Sequence, residues 1–134
     1  MNTCAELFTR FLDSKEMHYS SYIDSDGDSV VDFPYQGKVV KCFFTGDDGT
    51  YLSLYLVYEH VPDDKLADAV FVCNELNTRF KWATFYVDDD KDLMVHDDAI
   101  LSVESAADET FELLARMINI SNDAKPSIMR ALYA

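Results

Sequence analysis

From Leu66 onward the apolar positions fall at helical spacing. Leu66, Val70, Cys73, Leu76 or Asn77, and Phe80 form one stripe and predict a helix running to about Phe80. Beyond it the period changes to two: Ala83, Phe85 and Val87 share one face, and Trp82, Thr84 and Tyr86 share the other. An acidic turn at Asp88-Asp89-Asp90-Lys91-Asp92 then sends the chain back along a second strand to Leu101. A helix that changes directly into a hairpin is one laid over the sheet it feeds.

The rest of the chain has the same two periods. Cys4, Leu7, Phe8, Phe11 and Leu12 make a first amphipathic helix, with Thr3 as its expected N-cap and Glu6 three residues on. Strands follow at His18–Ile23, Ser29–Tyr35, Lys38–Thr45 and Thr50–Val61, joined by turns at Asp24–Asp28, Gln36-Gly37 and Gly46–Gly49. Pro62 with Asp63 and Asp64 opens the central helix. Ala99–Val103 either extends the last strand or crosses the sheet edge. A third helix is expected from about Ala106 to Ile120, carried by Phe111, Leu114 and Ile118. Ser121-Asn122-Asp123 is expected to break it before a short last helix with Pro126 in its first turn. Links of two to four residues cannot make parallel crossovers. The fold class is therefore α+β: an antiparallel sheet of about 5–6 strands with three helices on one face.

The two sheet faces differ. One is aliphatic, with Val40, Cys42, Phe44, Leu52, Leu54 and Leu56 among its residues, and suits the three helices. The other carries Lys41, Phe43, Tyr51, Ser53, Tyr55, Val57, Trp82, Thr84, Tyr86, Met94 and His96, rings with polar tips. Tyr51, Tyr55, Trp82 and Tyr86 are accordingly the expected partner-binding residues on the side away from the helices.

Composition narrows the function classes. With 134 residues the chain reads as a single domain, 1–134, burying roughly two-thirds of its unfolded surface. Its 49% hydrophobic and 13% aromatic content excludes disorder. Eleven Lys and Arg against 25 Asp and Glu give a net charge of −14, which repels a phosphate backbone and excludes a nucleic-acid partner. The same charge suits a solvated surface or attraction of a basic peptide segment. No run approaches the roughly 20 apolar residues of a membrane span, and the acidic amphipathic N-terminus does not read as a secretion signal. Cys4, Cys42 and Cys73 are widely spaced at apolar positions, the pattern of reduced, buried thiols in a cytoplasmic protein.

The order of elements, with Leu76-Asn77 and the strand–acidic turn–strand over Lys81–Leu101, resembles the YbjN family, bacterial domains also called sensory transduction regulators. The hairpins around Asp24–Asp28 and Gly46–Gly49, and Val61-Pro62 leading into the central helix, agree in order, so the resemblance spans roughly residues 2–120. It departs at the second acidic turn, where Lys91 stands in place of a Gly. The family is similar in fold to type III secretion chaperones such as the Tir chaperone. The resemblance implies a non-enzymatic protein-interaction module, chaperone-like or regulatory, with a protein partner. Secretion chaperones are often acidic dimers, so a homodimer is compatible.

Three constellations invite chemistry. Asp24-Ser25-Asp26-Gly27-Asp28 matches the start of a calcium loop, but Ser29 stands where Gly is needed and Tyr35 where a bidentate Glu belongs, so a hairpin turn is expected and no metal. His96 and Asp98 share a strand face without a third ligand, while Asp97 points away. Asn77 reads as an amide bonding a backbone group where helix meets strand, or else as a ligand contact. No phosphate-loop, dinucleotide or nucleophile-elbow motif occurs, so no catalytic residue and no cofactor is expected. The alternative is a small-ligand-binding domain or enzyme whose site has no sequence signature.

Overall fold

A computed structural model describes all 134 residues. Six antiparallel strands form one sheet: β1 (Ser20–Ile23), β2 (Ser29–Tyr35), β3 (Lys38–Thr45), β4 (Tyr51–His60), β5 (Thr84–Val87) and β6 (Asp92–Ile100), in the order β1-β2-β3-β4-β6-β5. Helices α1 (Thr3–Ser14), α2 (Leu66–Arg79) and α3 (Ala106–Tyr133) pack on one side of it. Alternation along each strand decides which side. Val40, Cys42 and Phe44 on β3 and Leu52, Leu54 and Leu56 on β4 point inward, and with residues of all three helices they form one cluster of 28 buried side chains.

The first helix is capped one residue earlier than expected. Asn2, not Thr3, accepts from the Ala5 N–H at 3.2 Å through its side-chain oxygen. Its amide also donates to the Phe44 carbonyl at 2.9 Å, and its backbone N–H donates to Ser29 Oγ at 3.0 Å. One side chain thus ties α1 to the β3–β4 hairpin. Gly49 leaves the room for it: a Cβ there would strike the Asn2 amide, and its φ of +76° is one that side chains resist.

Two helices depart from their expected patterns. In α2 the buried line is Ala69, Val72, Cys73 and Leu76, while Leu66 and Val70 are exposed. Leu66 and Val70 lie on the same helical line as Asn77, which reaches sideways to the outermost strand, so that line extends past the sheet into solvent. A single 3₁₀ turn at Asp63–Lys65 precedes the helix. Helix α3 is not broken at Ser121-Asn122-Asp123 but continues for 28 residues through Pro126. Leu114, Met117, Ser121, Ala124, Ile128 and Leu132 keep one buried stripe across that point. Tertiary packing overrides the local turn propensity there.

The acidic turns are built alike. Asp24 Oδ1 accepts from the N–H groups of Asp26 and Asp28 at 3.0 and 2.9 Å, and Asp88 Oδ1 does the same for Asp90 and Asp92 at 3.0 and 2.9 Å. Gly27 has φ +86° in the first turn, and Lys91 takes φ +61° at the matching place in the second. The left-handed residue is therefore kept although the glycine is not. In β4 the pairing with β6 slips between Val57 and Glu59, leaving Tyr58 as an extra, bulged residue.

Candidate functional site

The side of the sheet away from the helices is uncovered. Register places Asp32, Lys41, Tyr55, His96 and Thr84 in one row across five strands, β2 to β5. Tyr55 stacks on His96 with ring centres 4.5 Å apart and planes 12° from parallel. Phe43 meets Tyr55 edge-on at 5.8 Å, and Tyr86 meets His96 edge-on at 6.4 Å. Beside these rings a shallow cavity of about 330 Å³ is lined by Val39, Lys41, Phe43, Tyr55, Val57 and Met94. Val39 and Val57 are 43% and 53% exposed, although both are apolar. Val30 and Met94 are buried on this same side, apart from the main core. These two side chains give the face a packed apolar floor.

Polar groups frame it. His96 Nε2 lies 2.9 Å from Asp98 Oδ1, which also accepts from Ser53 Oγ at 2.6 Å. Burial pushes the Asp98 carboxyl up, but the bonds from Ser53 and His96 outweigh it and hold the acid below its ordinary range. Lys41 Nζ bridges the Tyr22 hydroxyl at 3.0 Å and Asp32 at 3.1 Å; the Tyr22 bond raises its pKa, against burial and with help from Asp32. Asp97 points to the helix side, opposite Leu54, where one carboxylate oxygen is buried with no hydrogen-bond partner. Desolvation raises its pKa.

The four expected partner-binding residues do not form one patch. Tyr55 and Tyr86 come together through His96. Tyr51 lies at the far end of β4 opposite Ile100, which is 77% exposed, and belongs to a separate shallow depression with Ser53 and Asp98. Trp82 is a correction: it precedes β5 in a bend, and its ring lies under the Arg116 guanidinium of α3 at 5.4 Å. Period-two alternation assigns Trp82 to the open face only if the strand already includes it, and the strand begins at Thr84. Val39 was not among the expected residues of this face; its place two residues after the Gln36-Gly37 turn, paired with Pro34, was the available signal.

The other constellations are structural in their contacts. Asn77 bonds both backbone groups of Phe85. Cys4, Cys42 and Cys73 are free and buried; desolvation pushes the Cys73 thiol up to about 11 and Cys42 higher still, which withholds the nucleophilic thiolate. The ligand oxygens of Asp24, Asp26 and Asp28 lie within 4.8 Å of one another, yet one Asp24 oxygen is already committed to two backbone N–H groups. No helix is long and apolar enough to cross a membrane.

The fold recurs in solved structures. The Yersinia pestis type III secretion chaperone SycH, in a complex with a stable fragment of YscM2, superposes with a TM-score of 0.58 at 7% identity, covering 90% of this chain and 98% of that one. The Pseudomonas aeruginosa ExoU–SpcU complex gives 0.46 at 12% identity over 96% and 97% of the chains. The ExsC–ExsE complex gives 0.47 at 14% identity over 90% and 92%. The α+β architecture is that of the type III secretion chaperone. No curated protein matches the chain. Residues 5–127 match the profile of YbjN, described as "Putative bacterial sensory transduction regulator", and the chain belongs to the YbjN family.

Proposed function

We propose that this protein is a non-enzymatic, cytoplasmic protein-interaction module, chaperone-like or regulatory, that receives a protein partner or a second copy of itself on the open face of its sheet. The observation that carries the reading is the run of ring contacts from Phe43 through Tyr55 and His96 to Tyr86, flanked by exposed Val39 and Val57 and left bare by all three helices. Rigid rings with wet polar tips give contact area at small entropic cost, which is why such clusters anchor interfaces. The net charge of −14 favours a partner segment that is basic around an apolar anchor. SycH, which shares this fold, is itself seen with a protein fragment, and this supports a partner-binding use of the architecture.

The test compares the wild type with Tyr55→Ser/Val57→Asp as bait in a bacterial lysate, with the mass of each in solution read by light scattering. Both side chains point to solvent, so the variant keeps its core. A partner or dimer that the wild type holds and the variant loses supports the reading. Equal capture and equal mass would remove the open face from it.

A further inference from the structure

A second feature lies on the helix side of the sheet, away from the face described above. The bulge in β4 displaces Tyr58 from the ladder, and a cavity of about 320 Å³ opens between it, the β2–β3 turn and the later part of α3. That volume is in the range of small-molecule sites, about 300–1,000 Å³. Leu56, Met129 and the Tyr58 ring supply apolar wall.

Cationic and hydrogen-bonding groups outnumber the acids around it. Lys38 and Lys125 both line the cavity, and neither is in an ion pair with any carboxylate of this acidic molecule. Lys38 Nζ instead stands over the Tyr58 ring, 5.2 Å from its centre. The Tyr35 hydroxyl accepts from Asn122 Nδ2 at 2.6 Å, so its own proton is free to donate into the cavity. In the wall, Ser121 Oγ is buried with no partner, and the Tyr58 hydroxyl reaches only the Ser121 carbonyl, at a long 3.5 Å. Glu59 is the one carboxylate in the lining, and it stands against the Tyr133 hydroxyl, whose pKa burial and this carboxylate raise.

We propose that this cavity binds a small organic anion, a carboxylate with a compact apolar body. The carboxylate would sit between Lys38, Lys125 and the Tyr35 hydroxyl, and the body against Leu56, Met129 and Tyr58. Charge-assisted bonds from two ammonium groups and a phenol select an ionised acid over a neutral or cationic molecule of the same shape. The bulge is the device that makes the room, since a regular strand would have returned Tyr58 to the ladder.

Phenylacetate, benzyl alcohol and benzylamine are matched probes that differ in charge. Titrated into the full chain and followed by backbone amide NMR, phenylacetate is expected to shift Gln36, Tyr58, Ser121 and Asn122 saturably in the low-millimolar range. The alcohol and the amine are expected not to saturate. Lys125 is exposed, so Lys125→Glu keeps the fold; it should weaken phenylacetate about tenfold, while Lys125→Arg retains it. The proposal is overturned if phenylacetate fails to saturate by about 10 mM, if its shifts map elsewhere, or if Lys125→Glu binds it as the wild type does. Loss of anion binding in Lys125→Glu with protein capture unchanged would separate this site from the open face.

Discussion

The side-chain amide of Asn77 closes both free backbone groups of Phe85: its Nδ2 donates to the Phe85 carbonyl at 3.0 Å, and the Phe85 N–H donates to its Oδ1 at 2.8 Å. Strand β5 is the last in the sheet, and these are the groups that a seventh strand would have paired. One helical side chain therefore stands in for a neighbouring strand and withholds that edge from other chains.

Replacing it tests this directly. Asn77→Ala leaves a donor and an acceptor without partners beside the core, and should cost about 2 kcal/mol in urea unfolding. Asn77→Asp should fail to restore the loss, because a carboxylate cannot donate to the Phe85 carbonyl. A cost within about 0.5 kcal/mol for Asn77→Ala would show that water serves the edge as well.

Asn2 and Gly49 should be coupled. Asn2→Ala removes the cap and the bond to the Phe44 carbonyl, at about 1–2 kcal/mol. Gly49→Ala drives a methyl into the Asn2 amide at a positive φ and should cost a similar amount. In the double variant the clash is gone, so the combined loss should fall short of the sum by at least about 0.5 kcal/mol. Strict additivity in a double-mutant cycle would mean that the two do not meet.

Much of this architecture was legible in the chain, for a physical reason. Strands such as Lys38–Thr45 put Val40, Cys42 and Phe44 on a single side, and the sheet they form has only one side that three amphipathic helices can cover. The misses share another cause: long-range contacts override what the local sequence favours. Pro126 and Ser121-Asn122-Asp123 read as a break because local propensity favours one, but Ala124 and Ile128 bury the helix through it. Trp82 reads as part of a strand, but Arg116, far along the chain, takes its ring. The His96–Asp98 pair was visible from strand alternation, while the Ser53 bond that completes it required the β4–β6 register.

Asp97 sets a pH dependence. Desolvation raises its folded pKa above the ordinary 3.8, so the stability it contributes is fully present below about pH 3.8 and is lost as pH rises through the folded value. At neutral pH the buried, unpaired oxygen is a cost. Asp97→Asn should therefore gain about 1 kcal/mol near pH 7, with the difference shrinking as the pH is lowered towards 4. Urea midpoints across that range check it; an equal gain at every pH would contradict the assignment.

The Asp24–Asp28 turn should not behave as a calcium site. Millimolar calcium is expected to leave the Tm within about 1–2 °C of its value in chelator, whereas a micromolar site would add about 4 kcal/mol at a thousandfold excess. A clear calcium-dependent upshift, abolished by Asp26→Asn, would defeat this expectation.

The central claim is that the open face is a contact surface, and hydroxyl-radical footprinting of the protein alone and in its captured complex, or as a concentrated dimer, reads this side chain by side chain. Protection of Tyr55, Tyr86 and Val57, with Trp82 and Phe71 unchanged, is the predicted result. Protection at Phe71 and Trp82 with Tyr55 as reactive as in the free chain would contradict it.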